Sequence, residues 1–183
     1  MAAQAAVAAF VADAHDILAD GVSEAALLKV GERLRVLAQT PDLIPEGDLG
    51  GLHGGAASMT VLHSDGHDGL TLMLSKFPET APTPIHNHNS WGVACVVSGR
   101  DRYQHFERLG DGSDHEHAEL RLLYERELEP GDVAVWLDPP NDIHCQQGIG
   151  GPAWELVCFG LDITARPRQY FDLTTGAVRV QMM

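Results

Sequence analysis

Lysine is almost missing from this chain: Lys29 and Lys76 are the only two among 183 residues. Twelve basic side chains face 26 acidic ones, for a formal net charge of −14 at pH 7. A field of that sign repels phosphate backbones and anionic headgroups, so neither nucleic acid nor a membrane surface is expected as a partner. Cysteine is scarce and odd in number. Cys95, Cys145 and Cys158 form no CxxC pair, which speaks against a disulfide framework or a thiolate zinc site and reads as small buried hydrophobes in a reducing cytoplasm. Long hydrophobic runs are lacking too. The apolar stretch from Ala5 to Ala12 is ended by Asp13, and the first basic residue is Lys29, whereas a secretory signal starts positive and a membrane span needs about 20 apolar residues. The expected location is cytoplasmic.

Apolar residues make up 44% and charged residues 21% of the sequence, enough for one domain with a buried core. Val7, Phe10, Val11, Ala14, Ile17 and Leu18 recur at helical spacing and Gly21 supplies a stop. Ser23 is a good N-cap for a second helix with Leu27, Val30, Leu34 and Leu37 as its stripe. Pro41, Pro45 and the glycine-rich stretch Gly47 to Gly55 read as a linker. The grammar then changes to short runs of Val, Leu, Thr and aromatics between Gly, Pro and Asp clusters. The predicted strands are 58–63, 70–77, 84–88, 92–98, 100–107, 118–127, 133–138, 143–147, 153–160 and 177–181, with Gly110 to His117 as a long acidic hairpin loop. Many short strands without intervening helices predict an antiparallel sandwich or barrel. The expected organisation is a helical segment over residues 1–45 packing on a β-barrel over 46–183.

The densest chemical signal is the run Thr83-Pro84-Ile85-His86-Asn87-His88-Asn89-Ser90-Trp91-Gly92. On a strand, residues i and i+2 share a face, so His86 and His88 would bring two imidazoles into one space, as a transition metal requires. A second HxH, His115 and His117, falls in the acidic loop and reads as solvated. Farther on, Glu129-Pro130-Gly131-Asp132 turns into Val133-Ala134-Val135-Trp136, followed by Asp138-Pro139-Pro140-Asn141-Asp142-Ile143-His144.

The segments HNHNSWGVACVVSG and GDVAVWLDPPNDIHCQQG resemble the two cupin motifs over roughly residues 57 to 181. That resemblance implies a double-stranded β-helix or jelly-roll barrel and a metal held by His86, His88 and His144, so the expected fold is mainly β, a jelly-roll barrel with the two N-terminal α-helices read from periodicity. The usual motif carries a glutamate four residues after its second histidine, where this chain has Gly92. The pattern HxHxxWG, the later DIH and the stretch Ala165 to Gly176 are similar to the cysteine dioxygenase-like thiol dioxygenases, closest to the bacterial 3-mercaptopropionate dioxygenase group. The implied cofactor is Fe(II), with other divalent transition metals as alternatives, and the implied partners are a small thiol or thiol carboxylate and O2. A homodimer is the assembly that cupins suggest.

Other positions depart from that family. The serine-histidine-tyrosine relay aligns with Glu155, Val157 and Phe159, and Met59 and Thr60 stand where relatives offer arginine or glutamine. The resemblance places Arg168 at the substrate carboxylate, a task that suits a guanidinium; pairing with surface acids is the competing reading. Trp91 is either a pocket wall or plain core. His63, Gln146 and Glu155 are candidates to orient a ligand imidazole by hydrogen bonding, with Phe159 expected beside them around the ligands. Two further functions stay open: a three-histidine cupin that cleaves a diketone-like chelating substrate, and a non-catalytic metal- or ligand-binding cupin.

Overall fold

The computed structural model describes residues 2–44, 52–54 and 57–182; most of the predicted linker, Pro45 and Gly47 to Gly51 together with Gly55, lies outside the described residues. Two helices come first, α1 at Ala2–Leu18 and α2 at Glu24–Ala38. Gly21 stops α1 at φ 107° with its N–H on the Leu18 carbonyl, a conformation that costs glycine least. The Ser23 hydroxyl accepts from the Ala26 N–H and caps α2, satisfying one of the orphan donors of the first turn. Leu27, Val30 and Leu34 on α2 are fully buried. A Cβ on Gly31 would lie 2.6 Å from a Val133 methyl, so glycine lets the helix settle directly on the sheet.

Among the described residues twelve strands follow, β1 (Leu52–Gly54), β2 (Ala57–Ser64), β3 (Thr71–Phe77), β4 (Ile85–His86), β5 (Gly92–Ser98), β6 (Asp101–Arg108), β7 (Leu120–Leu128), β8 (Val133–Trp136), β9 (Ile143–Gly148), β10 (Ala153–Phe159), β11 (Arg168–Phe171) and β12 (Val178–Gln181). They form two six-stranded sheets, β1-β2-β3-β10-β5-β8 and β12-β11-β4-β9-β6-β7, in which every pairing is antiparallel. Strands distant in sequence lie side by side, β3 with β10, β5 with β8 and β4 with β9, giving the jelly-roll, cupin-like barrel that the motifs predict.

The central strands of the first sheet, β3, β10 and β5, are buried on both faces. Leu72, Leu74, Val93, Cys95, Leu156 and Cys158 meet the helices, whereas Met73, Phe77, Ala94, Val157 and Phe159 form an inner cluster with Met59 and Trp136. This explains why β5 reads as a continuous apolar run rather than an alternation. In the second sheet, Ile143 and Cys145 join Phe106 and Phe171 in a separate cluster, while the alternate residues His144 and Gln146 face the interior cavity.

Two differences from the sequence expectation bear on the site. The predicted strand 84–88 is only the two residues Ile85–His86, because Asn89 adopts φ 56° and the chain turns away. Strand β11 was not predicted: Arg168-Gln169-Tyr170-Phe171 follows Pro167 and contains no β-branched residue, so its pairing with β4 and β12 is imposed by the barrel.

Truncating Leu34 to Ala should cost about 2–5 kcal/mol, the range for a fully buried leucine. Urea unfolding should show that loss in a single transition, since α2 and the first sheet share one core.

Candidate metal centre

Each of the three histidines reaches the barrel interior by its own route. His86 sits on β4, with its Cα partnered by His144 on β9 and by Tyr170 on β11. His88 lies past the end of β4, in a turn held by Asp142: one carboxylate oxygen accepts from the His88 N–H at 3.0 Å and from the Asn89 N–H at 2.7 Å. Asp142 is itself fully buried, and burial pushes its pKa up to about 6 despite these donors. The Asn87 amide adds a tie to β11, where its oxygen accepts from the Gln169 N–H at 2.8 Å.

The geometry converges. His86 Nε2 lies 3.1 Å from His88 Nε2, which lies 3.2 Å from His144 Nε2, and the three residues form the one metal-type cluster among the described residues. Nitrogens bound at about 2.0–2.1 Å to a single ion and subtending about 90–109° stand about 2.8–3.4 Å apart, so the His86–His88 and His88–His144 separations fit a shared ion, and all three ligand atoms lie within 4.8 Å of one another. His86 Nδ1 donates to the Pro84 carbonyl at 2.8 Å, which leaves its Nε2 with a lone pair turned toward the cluster. Nδ1 of His88 is buried without a partner, so no neighbouring acceptor sets its tautomer.

All three rings are neutral. Burial, followed by the Arg168 charge, pulls His86 down to about 3. Burial and then the neighbouring His86 hold His88 and His144 well below the usual range. Neutral imidazoles whose Nε2 atoms meet at 3.1 and 3.2 Å either share an N–H between them or turn their lone pairs to one cation, and a divalent transition metal suits the second arrangement.

Trp136 closes one side. Its indole lies 6.1 Å from the His88 ring and 4.8 Å from the His144 ring, centroid to centroid, and its N–H donates to the Ser90 carbonyl. A Cβ on Gly92 would fall 2.0 Å from the Trp136 ring. Indole therefore fills the space that a side chain at position 92 would need, and the groups that could hold a metal are three neutral nitrogens.

The cavity at the cluster is narrow, about 30 Å3, and lined by His86, His88 and His144 together with Met59, Trp136, Phe159, Gln146, Arg168 and Tyr170 among others. Arg168 is 4% exposed, a buried cation beside the histidines rather than a surface residue. Phe159 packs on the His88 ring at 4.6 Å. Tyr170 stacks on His86 at 6.1 Å and brings a phenol from β11. The alternation of β10 gives Val157 and Phe159 to the cavity and Trp154, Leu156 and Cys158 to the helix side.

Other predicted residues lie elsewhere. Trp91 packs in the outer core with α1 and α2, and a Cβ on Gly160 would strike its indole at 2.2 Å; Trp136 is the aromatic wall instead. His63 hydrogen-bonds Asp65, which also pairs with His15 of α1. Gln146 lines the cavity, yet its amide donates to Glu155 and Asp101 and not to an imidazole. Glu155 is fully buried behind it. His115 and His117 belong to the loop between β6 and β7, where the His117 backbone bridges Ala177. Trp136 and Tyr170 were not singled out from sequence; their one signal was their place inside the quoted family stretches.

Fold and cluster together define a jelly-roll barrel with a three-histidine centre that could hold a metal ion. No protein-family profile matches the chain, and no curated protein matches it in sequence. Solved structures with a similar fold include the DMSP lyase DddQ from Ruegeria pomeroyi DSS-3, 19% identical over 58% of this chain and 48% of that one, with TM-score 0.42. An oxalate oxidase in complex with the substrate analogue glycolate is 18% identical over 63% of this chain and 55% of that one, TM-score 0.45. A cupin superfamily protein from Desulfitobacterium hafniense DCB-2 is 14% identical over 61% and 83%, TM-score 0.42. The chain spans about half the length of the first two. The likeness is one of fold, and the account of the centre stands on the residues of this chain.

Replacing Gly92 with Glu should not restore a carboxylate ligand. Overpacking against Trp136 should destabilise the protein by about 1–3 kcal/mol or more, read as a fall in melting temperature, and the double variant with Trp136→Ala should lose less than the sum of the two single losses.

The acids behind the cavity give a second prediction. Burial raises Asp101 to about 7 and holds Glu155 well above the carboxylate range, with Asp101 as its next cause. A folded-state pKa above the unfolded value contributes stability that is complete at low pH and is lost as pH rises from about 4 through about 7. Denaturant unfolding should show stability falling over that window, and Glu155→Gln should flatten the fall. An equally steep fall in the variant would rule this out.

Proposed function

We propose that the chain is a non-haem Fe(II)-dependent dioxygenase of the three-histidine cupin type, acting on a small thiol or thiol carboxylate in the cytoplasm. The observation that carries the reading is the meeting, in one narrow cavity, of three neutral Nε2 atoms with a buried guanidinium, Arg168. Ferrous iron held by His86, His88 and His144 would keep a positive charge and open positions, attracting a thiolate and admitting O2 beside it. A thiolate plus O2 balances to a sulfinate with no further reductant.

The chain's own groups then have defined tasks. Arg168 would hold the substrate carboxylate in a bidentate pair, strengthened by exclusion of water. Met59, Trp136, Val157 and Phe159 form apolar wall around the cluster and would keep bulk water from the reacting sulfur. The relay histidine and tyrosine of the resembling family are replaced on β10 by Val157 and Phe159, and the phenol in the cavity is that of Tyr170. The net charge of −14 would oppose an anionic substrate at long range; at contact distance, Arg168 and the metal outweigh it.

Protein purified anaerobically and loaded with Fe(II) should consume O2 with 3-mercaptopropionate or cysteine, and mass spectrometry should show a product heavier by two oxygen atoms. His86→Ala with His144→Ala should abolish both metal binding and uptake. Arg168→Met should raise KM for a thiol carboxylate at least about tenfold, the cost of a lost charge-assisted pair. Turnover of a chelating dicarbonyl without uptake on any thiol would replace this reading with the carbon-carbon cleaving one. Less than about a tenth of an equivalent of any metal, with no stabilisation on adding iron, would leave a non-catalytic module.

A further inference from the structure

We infer that Gln146 selects the substrate of this cavity: the buried acids Glu155 and Asp101 hold its amide so that the carbonyl oxygen is presented to a ligand carrying an O–H or N–H donor. The inference rests on the metal-dependent reading above and deepens it by naming a second recognition group.

The backbone of Gln146 is locked against Thr83. Its N–H donates to the Thr83 hydroxyl at 3.0 Å, and its carbonyl accepts from the Thr83 N–H at 2.8 Å. Gln146 follows His144 by two residues on β9, so both side chains take the interior face, and Gln146 lines the cavity at 5% exposure. Its Nε2 donates to Glu155 Oε2 at 2.6 Å and, more weakly, to Asp101 Oδ2 at 3.4 Å. Nitrogen and oxygen of an amide project to opposite sides of one carbon. With the nitrogen committed to the acids, Oε1 is the atom turned the other way, toward the cavity. A flipped amide would press two acceptor oxygens together at hydrogen-bond distance and lose both bonds.

The clamp is itself determined. Glu155 is fully buried and burial favours its neutral form, while its Oε1 has no hydrogen-bond partner, so Oε2 is the oxygen that meets the amide. Asp101 receives the Gln147 N–H at 3.0 Å, so it is the member able to bear charge. Neither acid can turn away, since both are fully buried.

Register places this acceptor relative to Arg168. On β4, His86 is level with both His144 and Tyr170. Gln146 therefore lies one step toward Pro84 and Arg168 one step toward His88, their Cα levels about 13 Å apart along the strand direction. Histidines occupy the middle. A short ligand bound at the centre is thus read at two ends: an anionic group at the guanidinium, and a donor at Gln146. Small hydroxylated or amino-bearing thiols and carboxylates fit that class.

Cobalt(II)-loaded protein can be titrated with two pairs of probes that differ only by hydroxyl for methyl: 2-mercaptoethanol against 1-propanethiol, and 3-hydroxypropionate against butanoate. Gln146→Met should lower the hydroxyl-to-methyl affinity ratio by about 3- to 10-fold, the worth of one hydrogen bond, in whichever pair binds. Glu155→Leu, which frees the amide to rotate, should lower it by less. In the unaltered protein, the side-chain carbonyl 13C resonance of Gln146 should shift with the hydroxyl member and stay still with its methyl partner. An unchanged ratio in a folded Gln146→Met protein, or a response at the side-chain NH2 instead of the carbonyl, overturns the inference. If none of the four probes perturbs the cobalt spectrum, the metal-dependent reading fails and the inference falls with it.

Discussion

Everything chemical in this molecule depends on one backbone pairing, β4 against β9, in which the Cα of His86 faces that of His144. It joins segments 58 positions apart in sequence and brings the third imidazole to the other two. The loop entropy of that closure is offset by burial on all sides: Phe106, Ile143, Cys145 and Phe171 cluster on the outer face, and Trp136 and Phe159 pack on the inner one. A slip of one residue along β9 would turn His144 outward and bring Cys145 in.

Charge in the interior is handled economically. The histidines are kept neutral by burial, which suits them as ligands and leaves a bound cation its charge. Arg168 is the buried cation, with its own pKa lowered by burial, and an arginine keeps its proton there. The buried acids divide into two groups with different work. Asp142 ties down the turn that carries His88, and the Asp101 and Glu155 pair orients Gln146. Much of the acidity of the chain lies apart from the cavity: nine of the 26 acids fall between Asp101 and Glu129, several of them exposed on β7 and the loop before it.

Close approaches between aromatics and glycines shape the barrel as much as the hydrogen bonds do. Gly92 admits Trp136 to the centre, and Gly160 admits Trp91 to the outer core. The two tryptophans belong to opposite faces of the first sheet. This is why a motif that reads Trp-Gly in sequence does not put that tryptophan in the cavity: alternation along β5 sends the neighbour of Gly92 to the far side.

The sequence by itself determined what is local or periodic. The helix stop at Gly21, the cap at Ser23, most strand positions and the pairing of His86 with His88 were legible, because each is written in spacing and residue type; that His144 joins them was legible only through the resemblance of the two flanking motifs to a known family. Tertiary structure decided the rest. His88 lies off the strand and is aimed by Asp142, β11 exists only because β4 and β12 lie beside it, and Trp136 fills the space that a side chain at position 92 would need. Gln146 is oriented by two acids from other strands. These are contacts between residues far apart in the chain, and no local pattern encodes which side chain will arrive from the opposite strand.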